Sequence, residues 1–158
     1  METTEAAVRR AKPDDLNGLL ECVTGLFAED GAARDALRNP DWPARHGEQW
    51  CRELLAGTDA LVLVADAGGE IVGHLVGTFA KPSAMWLAAR AELVSMYVTP
   101  SWRGGGLGGR LVEGFTGWAR ERGAERLVVE AYTANEGAVR FYRRNGFAPR
   151  SATLTAGL

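Results

Sequence analysis

The sequence lacks the features by which several classes of protein are recognised. Cysteine occurs only at Cys22 and Cys51, without a CxxC or His–Cys spacing. A disulfide framework and a structural zinc site therefore have no support, and a reducing compartment fits the composition. No apolar stretch approaches the ~20 residues that span a bilayer, and the amino terminus has no apolar signal core. We expect a soluble cytoplasmic protein that binds neither membrane nor metal.

A strong excess of charge is also absent. Eighteen Lys and Arg residues stand against twenty Asp and Glu residues, which gives a net charge of −2. This balance argues against nucleic acid as a partner, and it is compatible with an amine substrate. Internal repeats and low-complexity segments are missing too. With 158 residues, 46% of them hydrophobic, the chain is expected to form a single domain over residues 1–158.

The pattern of apolar residues and turn residues predicts an α/β fold. Runs of β-branched and apolar residues predict strands, and three- and four-residue spacing predicts helices, whereas residues 29–43 read as a loop. The predicted strands are Ala6 to Arg10, a hairpin of Ala60 to Asp66 and Ile71 to Ala80, Ala91 to Val98, Arg126 to Ala131 and Phe147 to Leu154. Four helices are predicted. The first begins at Pro13, and the others run from about Ala44 to Leu55, from Leu107 to Arg122 and from Glu136 to Asn145. This order predicts a mixed sheet with helices on both faces.

A glycine cluster lies between the predicted strand that ends at Val98 and the helix that begins at Leu107. Five of the six residues from 104 to 109 are glycine, so little side-chain bulk would keep a ligand from the main chain. The first turn of the helix would present unpaired N–H groups and the positive end of its dipole to that ligand. The junction therefore predicts a site for a phosphate or pyrophosphate group.

Two familiar phosphate motifs fit this loop poorly. A Walker motif is excluded because Arg110 and Leu111 stand where Lys and Ser or Thr are required. A dinucleotide fingerprint is matched by Gly104, Gly106 and Gly109, and it would make the protein an NAD(P)-binding oxidoreductase. However, five residues separate the strand from the first glycine, and too little chain follows for a doubly wound sheet. The oxidoreductase stays as the less favoured alternative.

Two motifs, in chain order, resemble those of the GNAT family of acyl-CoA N-acyltransferases. The first resembles the family's pyrophosphate loop and reads Arg103-x-x-Gly106-x-Gly108. The second reads Asn135-x-x-Ala138-x-x-Phe141-Tyr142-x-x-x-Gly146-Phe147. Together they cover about residues 92–147, and their co-occurrence is much more specific than either motif alone. The resemblance implies a GNAT N-acetyltransferase.

The resemblance also implies a fold and a reaction. The fold would be a mixed, mostly antiparallel sheet of about six to seven strands. Acetyl-CoA would be the donor, and a primary amine of a small molecule or a protein would attack it directly in a ternary complex. A CoA-binding module without turnover remains the alternative. The acceptor stays open between a protein amine, a polyamine, an amino acid and an antibiotic, and a homodimer is also left open.

The donor site follows from the resemblance residue by residue. The backbone of Met96, Tyr97 and Val98 would pair with the pantetheine arm, and the Val98 N–H would face the thioester oxygen. Asn135 would contact the same arm, although its position fits a helix N-cap equally well. The diphosphate would be held by Arg103, Gly104, Gly105, Gly106, Leu107, Gly108, Gly109 and Arg110, with the two arginines as side-chain contacts.

Two residues are candidates for the chemistry of amine acylation. An alkyl ammonium with a pKa of about 10.4 must lose its proton, and Glu92 matches the position of the family's general base. Its alternative is a solvated charge at a strand end. Tyr142 matches the phenol that family members place next to the CoA sulfur, where it can donate a proton to the leaving thiolate. Its alternative is a core tyrosine packed beside Phe141.

Other nucleophiles have little support in the sequence. Ser95 lies mid-strand without a glycine elbow, and neither His46 nor His74 has a recognisable acidic partner, which argues against a Ser-His-Asp hydrolase. Cys22 and Cys51 lie in helical patterns far from the glycine loop. Direct transfer is therefore expected rather than an acyl-enzyme.

Overall fold

The structure is a computed structural model, and it describes residues 4–158. This part of the chain contains both strands and helices. The strands are β1 (Ala7–Arg10), β2 (Leu61–Ala67), β3 (Glu70–Ala80), β4 (Arg90–Val98) and β5 (Arg126–Val129). The helices are α1 (Leu16–Leu26), α2 (Ala32–Arg34), α3 (Glu48–Ala56), α4 (Leu107–Glu121) and α5 (Glu136–Arg144). Within residues 4–158 no helix combines the length and the apolar character needed to cross a membrane.

The strands lie side by side in the sheet in the same order as in the chain, β1-β2-β3-β4-β5. The first four strands pair antiparallel, and β5 pairs parallel to β4 after the crossover through α4. The β2–β3 hairpin turns at Gly68 and Gly69, which have φ angles of +66° and +102° that only glycine adopts readily. The predicted mixed, mostly antiparallel sheet is confirmed.

Helices cover both faces of the sheet. On one face, α4 buries Leu111, Phe115 and Trp118 against Leu63, Leu75 and Leu93 of the central strands. On the other face, α1 and α3 bury residues such as Leu19 and Cys51 against Val62 and Val76. The three- and four-residue spacing of apolar residues in α4 produces this packing, because it places them on one side of the helix.

A bulge in β4 opens the sheet beside β5. Gly77 of β3 pairs with Leu93 whereas Val76 pairs with Ser95, so Val94 is an extra residue in β4. On the other side of β4, the pairing with β5 ends at Leu93 and Val129. The end of β4 beyond the bulge therefore has no pairing partner on this side among the described strands. We call the space beside residues 94–98 of β4, where β5 no longer pairs, the cleft.

Two predictions for the regular structure were wrong. The described residues contain five strands rather than six to seven, and Phe147 to Leu154 forms no strand. Only Phe147 of that segment is shielded from solvent, and a strand without an apolar face to bury gains little from joining a sheet. Residues 29–43 are not simply a loop, because a π-helical turn at Phe27–Gly31 continues α1 into α2. A second π-helical turn at Pro43–Gly47 leads into α3.

Candidate functional site

The glycine loop is an open concavity at the start of α4. Gly104 and Gly106 have φ angles of +84° and +85°, and a Cβ built on Gly104, Gly105 or Gly106 would meet no atom within 4 Å. The N–H groups of residues 104–109 donate no hydrogen bond to any described residue. The first turn of α4 carries no acidic side chain. Unpaired N–H groups, a helix N-terminus and free space together fit a diphosphate.

Gly108 fixes the loop against two neighbouring elements. A Cβ on Gly108 would lie 3.0 Å from the Phe141 ring and 3.3 Å from the Met96 methyl carbon. The absence of a side chain therefore lets α4 approach both β4 and α5. Three predicted segments of the donor site, which are far apart in the sequence, meet at this contact.

The main chain at the end of β4 faces the cleft. Thr99 donates its N–H to Val72 of β3 at 2.9 Å. Since successive residues of an antiparallel strand point their peptide groups to alternate sides, the N–H and C=O of Val98 point away from β3. The Val98 carbonyl accepts a hydrogen bond from Arg103 Nε at 2.8 Å. Its N–H lies on the side where β5 no longer pairs, so it is available to a ligand in the cleft.

Tyr142 lies on α5 in an aromatic cluster. Its ring packs edge-on against Phe141 and Phe147, with centroid distances of 5.2 and 5.7 Å. Burial, and then the negative charge of Asp30, raise the pKa of Tyr142 to about 12. The hydroxyl makes no hydrogen bond to a described residue, and it keeps its proton at neutral pH. It can therefore donate to a ligand atom.

Glu92 lies at the closed end of the cleft. It pairs with Thr78 of β3 on one side and with Val128 of β5 on the other. Its neighbours Ala91 and Leu93 are buried on the α4 side, so Glu92 projects from the face that carries α1, and it is exposed.

The polar side chains predicted to hold the donor already have partners within the chain. Arg103 Nη2 contacts Glu29 Oε2 at 2.7 Å, and Arg110 Nη1 donates to the carbonyl of Ala6 at 2.8 Å. Asn135 caps α5, because its Oδ1 accepts the N–H of Ala138 at 3.1 Å. The structure thus shows the N-cap, and the predicted pantetheine contact remains a prediction.

Two acidic residues at this site were missed by the sequence analysis. Glu29 and Asp30 belong to the Phe27–Gly31 turn, which we call the strap. Glu29 Oε1 accepts the hydroxyl of Tyr97 at 2.9 Å, and Asp30 Oδ1 accepts Asn135 Nδ2 at 2.9 Å. These partners are 68 and 105 residues away in the chain, so no local spacing could have revealed the contacts.

The remaining candidate nucleophiles are buried. His74 Nε2 and Ser95 Oγ lie 2.7 Å apart, and burial lowers the pKa of His74 to about 3, so its imidazole is neutral. The two cysteines are free and buried, and burial raises the pKa of Cys22 to about 12 and that of Cys51 to about 11. Neither thiol is a reactive thiolate at neutral pH.

Comparison with known sequences identifies the family. The sequence profile of the Acetyltransferase (GNAT) family matches residues 32–147, which is more than half of the chain. The chain is 32% identical over 109 residues to an IAA acetyltransferase of Azospirillum brasilense, covering 69% of this chain and 68% of that protein. It is also 28% identical over 142 residues to an uncharacterised N-acetyltransferase of Methanocaldococcus jannaschii. This protein therefore belongs to the GNAT acetyltransferase family.

The match to the M. jannaschii protein covers 89% of this chain but only 59% of that protein's length. Among solved structures, an aminoglycoside N-acetyltransferase in complex with CoA superimposes with a TM-score of 0.78 and 14% identity. The superposition covers 99% of this chain and 97% of that one. At this identity the likeness establishes the fold alone. That fold, with four antiparallel strands, differs from the doubly wound parallel sheet that the oxidoreductase alternative requires.

Proposed function

We propose that this protein transfers an acetyl group from acetyl-CoA to a primary amine in a ternary complex. The observation that carries the proposal is the open loop at residues 104–109, whose N–H groups have no partner among the described residues. Its position at the mouth of the β4–β5 cleft would place a diphosphate outside and the attached thioester inside. Membership of the family, and the CoA bound to the aminoglycoside N-acetyltransferase of the same fold, support this choice of donor.

The residues of the cleft suit the three demands of the reaction. Glu92 would accept the proton of the ammonium group through water, which frees the amine for attack on the thioester carbon. The Val98 N–H would stabilise the oxyanion as the C–N bond forms. Tyr142 would donate a hydrogen bond to the sulfur as the C–S bond breaks, and the second proton of the attacking nitrogen would pass to the departing thiolate, so that CoA leaves as the thiol. Because its pKa is about 12, Tyr142 remains protonated throughout.

Direct attack fits the chain better than an acyl-enzyme. Both thiols are buried and have raised pKa values, so neither can serve as the first acceptor of the acyl group. Ser95 and His74 are hydrogen-bonded to one another and buried, but His74 Nδ1 has no hydrogen-bond partner among the described residues, so no carboxylate completes a triad. The amine itself is therefore the nucleophile.

The test measures the release of free CoA from acetyl-CoA with a panel of amines. The panel contains a lysine peptide, a polyamine, an amino acid and an aminoglycoside, which are the acceptors that the sequence leaves open. We expect thiol release above the no-amine rate with at least one class, and mass spectrometry should show a product 42 Da heavier, the mass of one acetyl group replacing one hydrogen.

Two other outcomes would contradict the proposal. CoA binding without release for any amine would indicate a binding module. Calorimetric binding of NADH without binding of CoA would restore the dinucleotide interpretation. The variant Gly106→Val tests the donor site directly. Its side chain would project into the open loop, so it should bind CoA more weakly than the wild type.

A further inference from the structure

The strap is fastened to both walls of the cleft. On the β4 side, Glu29 accepts hydrogen bonds from the Tyr97 hydroxyl at 2.9 Å and from Arg103 Nη2 at 2.7 Å. On the α5 side, Asp30 accepts one from Asn135 Nδ2 at 2.9 Å. Two neighbouring residues of the strap thereby hold the side chains of elements that lie on opposite sides of the opening.

The three side chains held by the strap are all residues assigned to the donor. Arg103 also donates Nε to Val98, so its charge is already met by a carboxylate and a carbonyl. Asn135 Oδ1 is used in capping α5, and one of the two N–H groups of Nδ2 is donated to Asp30. A donor molecule could use Arg103 and Asn135 fully only by displacing the strap.

The strap contacts are of a kind that a diphosphate can replace. The side chains of Arg103 and Glu29 are 47% and 44% exposed, and ion pairs at such exposure contribute little to stability. A phosphate group binds a guanidinium bidentately and with more charge than a carboxylate. The strap is also a π-helical turn, a geometry rarer than the α-helix on either side of it and frequent at functional sites.

We propose that Glu29 and Asp30 are positioning residues that compete with the acyl donor for Arg103 and Asn135. Binding of the diphosphate and the pantetheine arm releases the strap from both walls. Because the strap continues α1, and α1 covers the same face of the sheet as Glu92, this release reshapes the acceptor side of the cleft. The inference rests on the proposed function, because it takes CoA as the ligand.

Calorimetry with CoA tests the competition. The Glu29→Gln variant keeps the shape of the side chain and an acceptor for Tyr97 but loses the charge, so it should bind CoA about two- to fivefold more tightly than the wild type. The matched control is Glu48→Gln, which removes a similar Glu–Arg pair, to Arg52 at 2.7 Å, on the exposed face of α3. Its affinity for CoA should equal that of the wild type. Unchanged or weaker binding by Glu29→Gln would overturn the inference.

Hydrogen exchange of the wild-type protein gives a second test. If Glu29 and Asp30 had a merely structural role, adding CoA would not change the exchange rates of the strap. On addition of CoA, the amides of residues 104–109 should exchange more slowly, and those of the strap should exchange faster. Protection of the loop with an unchanged or slower strap overturns the competition and leaves the proposed function in place. Failure of CoA to bind at all overturns both.

Discussion

Gly77 of β3 lies directly beneath the ring of Phe115 on α4. A Cβ built on Gly77 would lie 2.8 Å from two ring carbons, and Phe115 is completely buried. The main chain of the central sheet and the largest fully buried side chain of α4 thus touch with no room between them. This contact sets how closely the helix after the glycine loop approaches the sheet.

Substitution of Gly77 by alanine should therefore destabilise the protein. Overpacking of a filled core costs about 1–3 kcal/mol, and urea unfolding should show a loss in that range. The double variant Gly77→Ala with Phe115→Leu should lose less than the sum of the two single variants, because the smaller side chain leaves space for the new methyl group. Additive losses would show that the two residues do not share this contact.

Gly106 should be sensitive to substitution in both binding and folding. Its φ of +85° strains any residue with a Cβ, at about 1–2 kcal/mol, and the new methyl group would lie in the space that we assign to the diphosphate. We expect Gly106→Ala to lower the affinity for CoA at least tenfold and to lower the thermal midpoint.

Gly117 of α4 is the matched control for Gly106. A Cβ at Gly117 would meet nothing within 4 Å, and alanine within a helix is about 1 kcal/mol more stable than glycine. Gly117→Ala should raise the midpoint and leave CoA binding unchanged. Equal effects at both positions would argue against a role for the loop.

Tyr142 should affect the chemical step more than binding. Removal of its hydroxyl in Tyr142→Phe leaves the aromatic packing intact, so CoA affinity should stay within about twofold of the wild type. In contrast, kcat should fall at least tenfold, because the group that donates to the leaving sulfur is lost. Because the pKa is raised to about 12, loss of its proton should not reduce the wild-type activity below pH 10. An unchanged kcat would reduce Tyr142 to a packing residue.

Glu92 should control how activity depends on pH. Glu92→Gln should lower kcat/KM about 100-fold at pH 7, where the amine needs a base. The deficit should shrink above pH 10, because an amine with an ordinary pKa of about 10.4 then loses its proton to solvent. Glu113→Gln, at an exposed position of α4, is the control. A deficit that stays constant from pH 7 to pH 10.5 would assign Glu92 another role.

Asp15 should make the stability of the fold depend on acidic pH. Its carboxylate accepts Arg9 at 2.7 and 2.9 Å and the N–H of Lys12 at 2.7 Å. The hydrogen bonds from Arg9 hold the pKa of Asp15 below its ordinary value, although burial opposes them. A lowered folded pKa contributes stability above the unfolded pKa of about 3.9, and this stability is lost as pH falls through the folded value.

The variant Asp15→Asn should thus lose about 2 kcal/mol at pH 7, as expected for charge-assisted hydrogen bonds. Urea titrations should show the difference from the wild type narrowing below pH 4. Asp14→Asn, at the exposed neighbouring position, should match the wild type. A difference that persists unchanged at pH 2.5 would mean that the charge of Asp15 is not the cause.

The parts of the fold that depend on short-range patterns could be predicted from the sequence. The hairpin around Gly68 and Gly69, the helix after the glycine loop and the helix that carries Tyr142 were all predicted within a few residues of their observed bounds. In each case glycine or the spacing of apolar residues decides the local conformation. The predicted strand from Phe147 to Leu154 was wrong, because the residues of a segment do not by themselves supply a neighbouring strand with which it can pair.

The strap and the bulge could not be predicted, for a different reason. The contact between Glu29 and Tyr97 joins residues 68 positions apart, and it exists only because α1 packs across β4. The extra residue Val94 is defined by the pairing of β3 with β4, which no single strand reveals. The geometry that opens the cleft therefore depends on how neighbouring elements pair, which the sequence of a single segment does not reveal.

Val94 has a consequence for how such a sheet can be altered. Deleting this one residue would leave Leu93 opposite Gly77 and Ser95 opposite Val76, with every later side chain of β4 on its present face, but it would remove the bulge. Tyr97 would keep its place against Gly25 of α1, whereas β4, without the bend that a bulge imposes, could continue its pairing alongside β5. The one extra residue, Val94, thus keeps β4 and β5 from pairing along their whole length. The number of residues in β4 therefore sets how wide the cleft is.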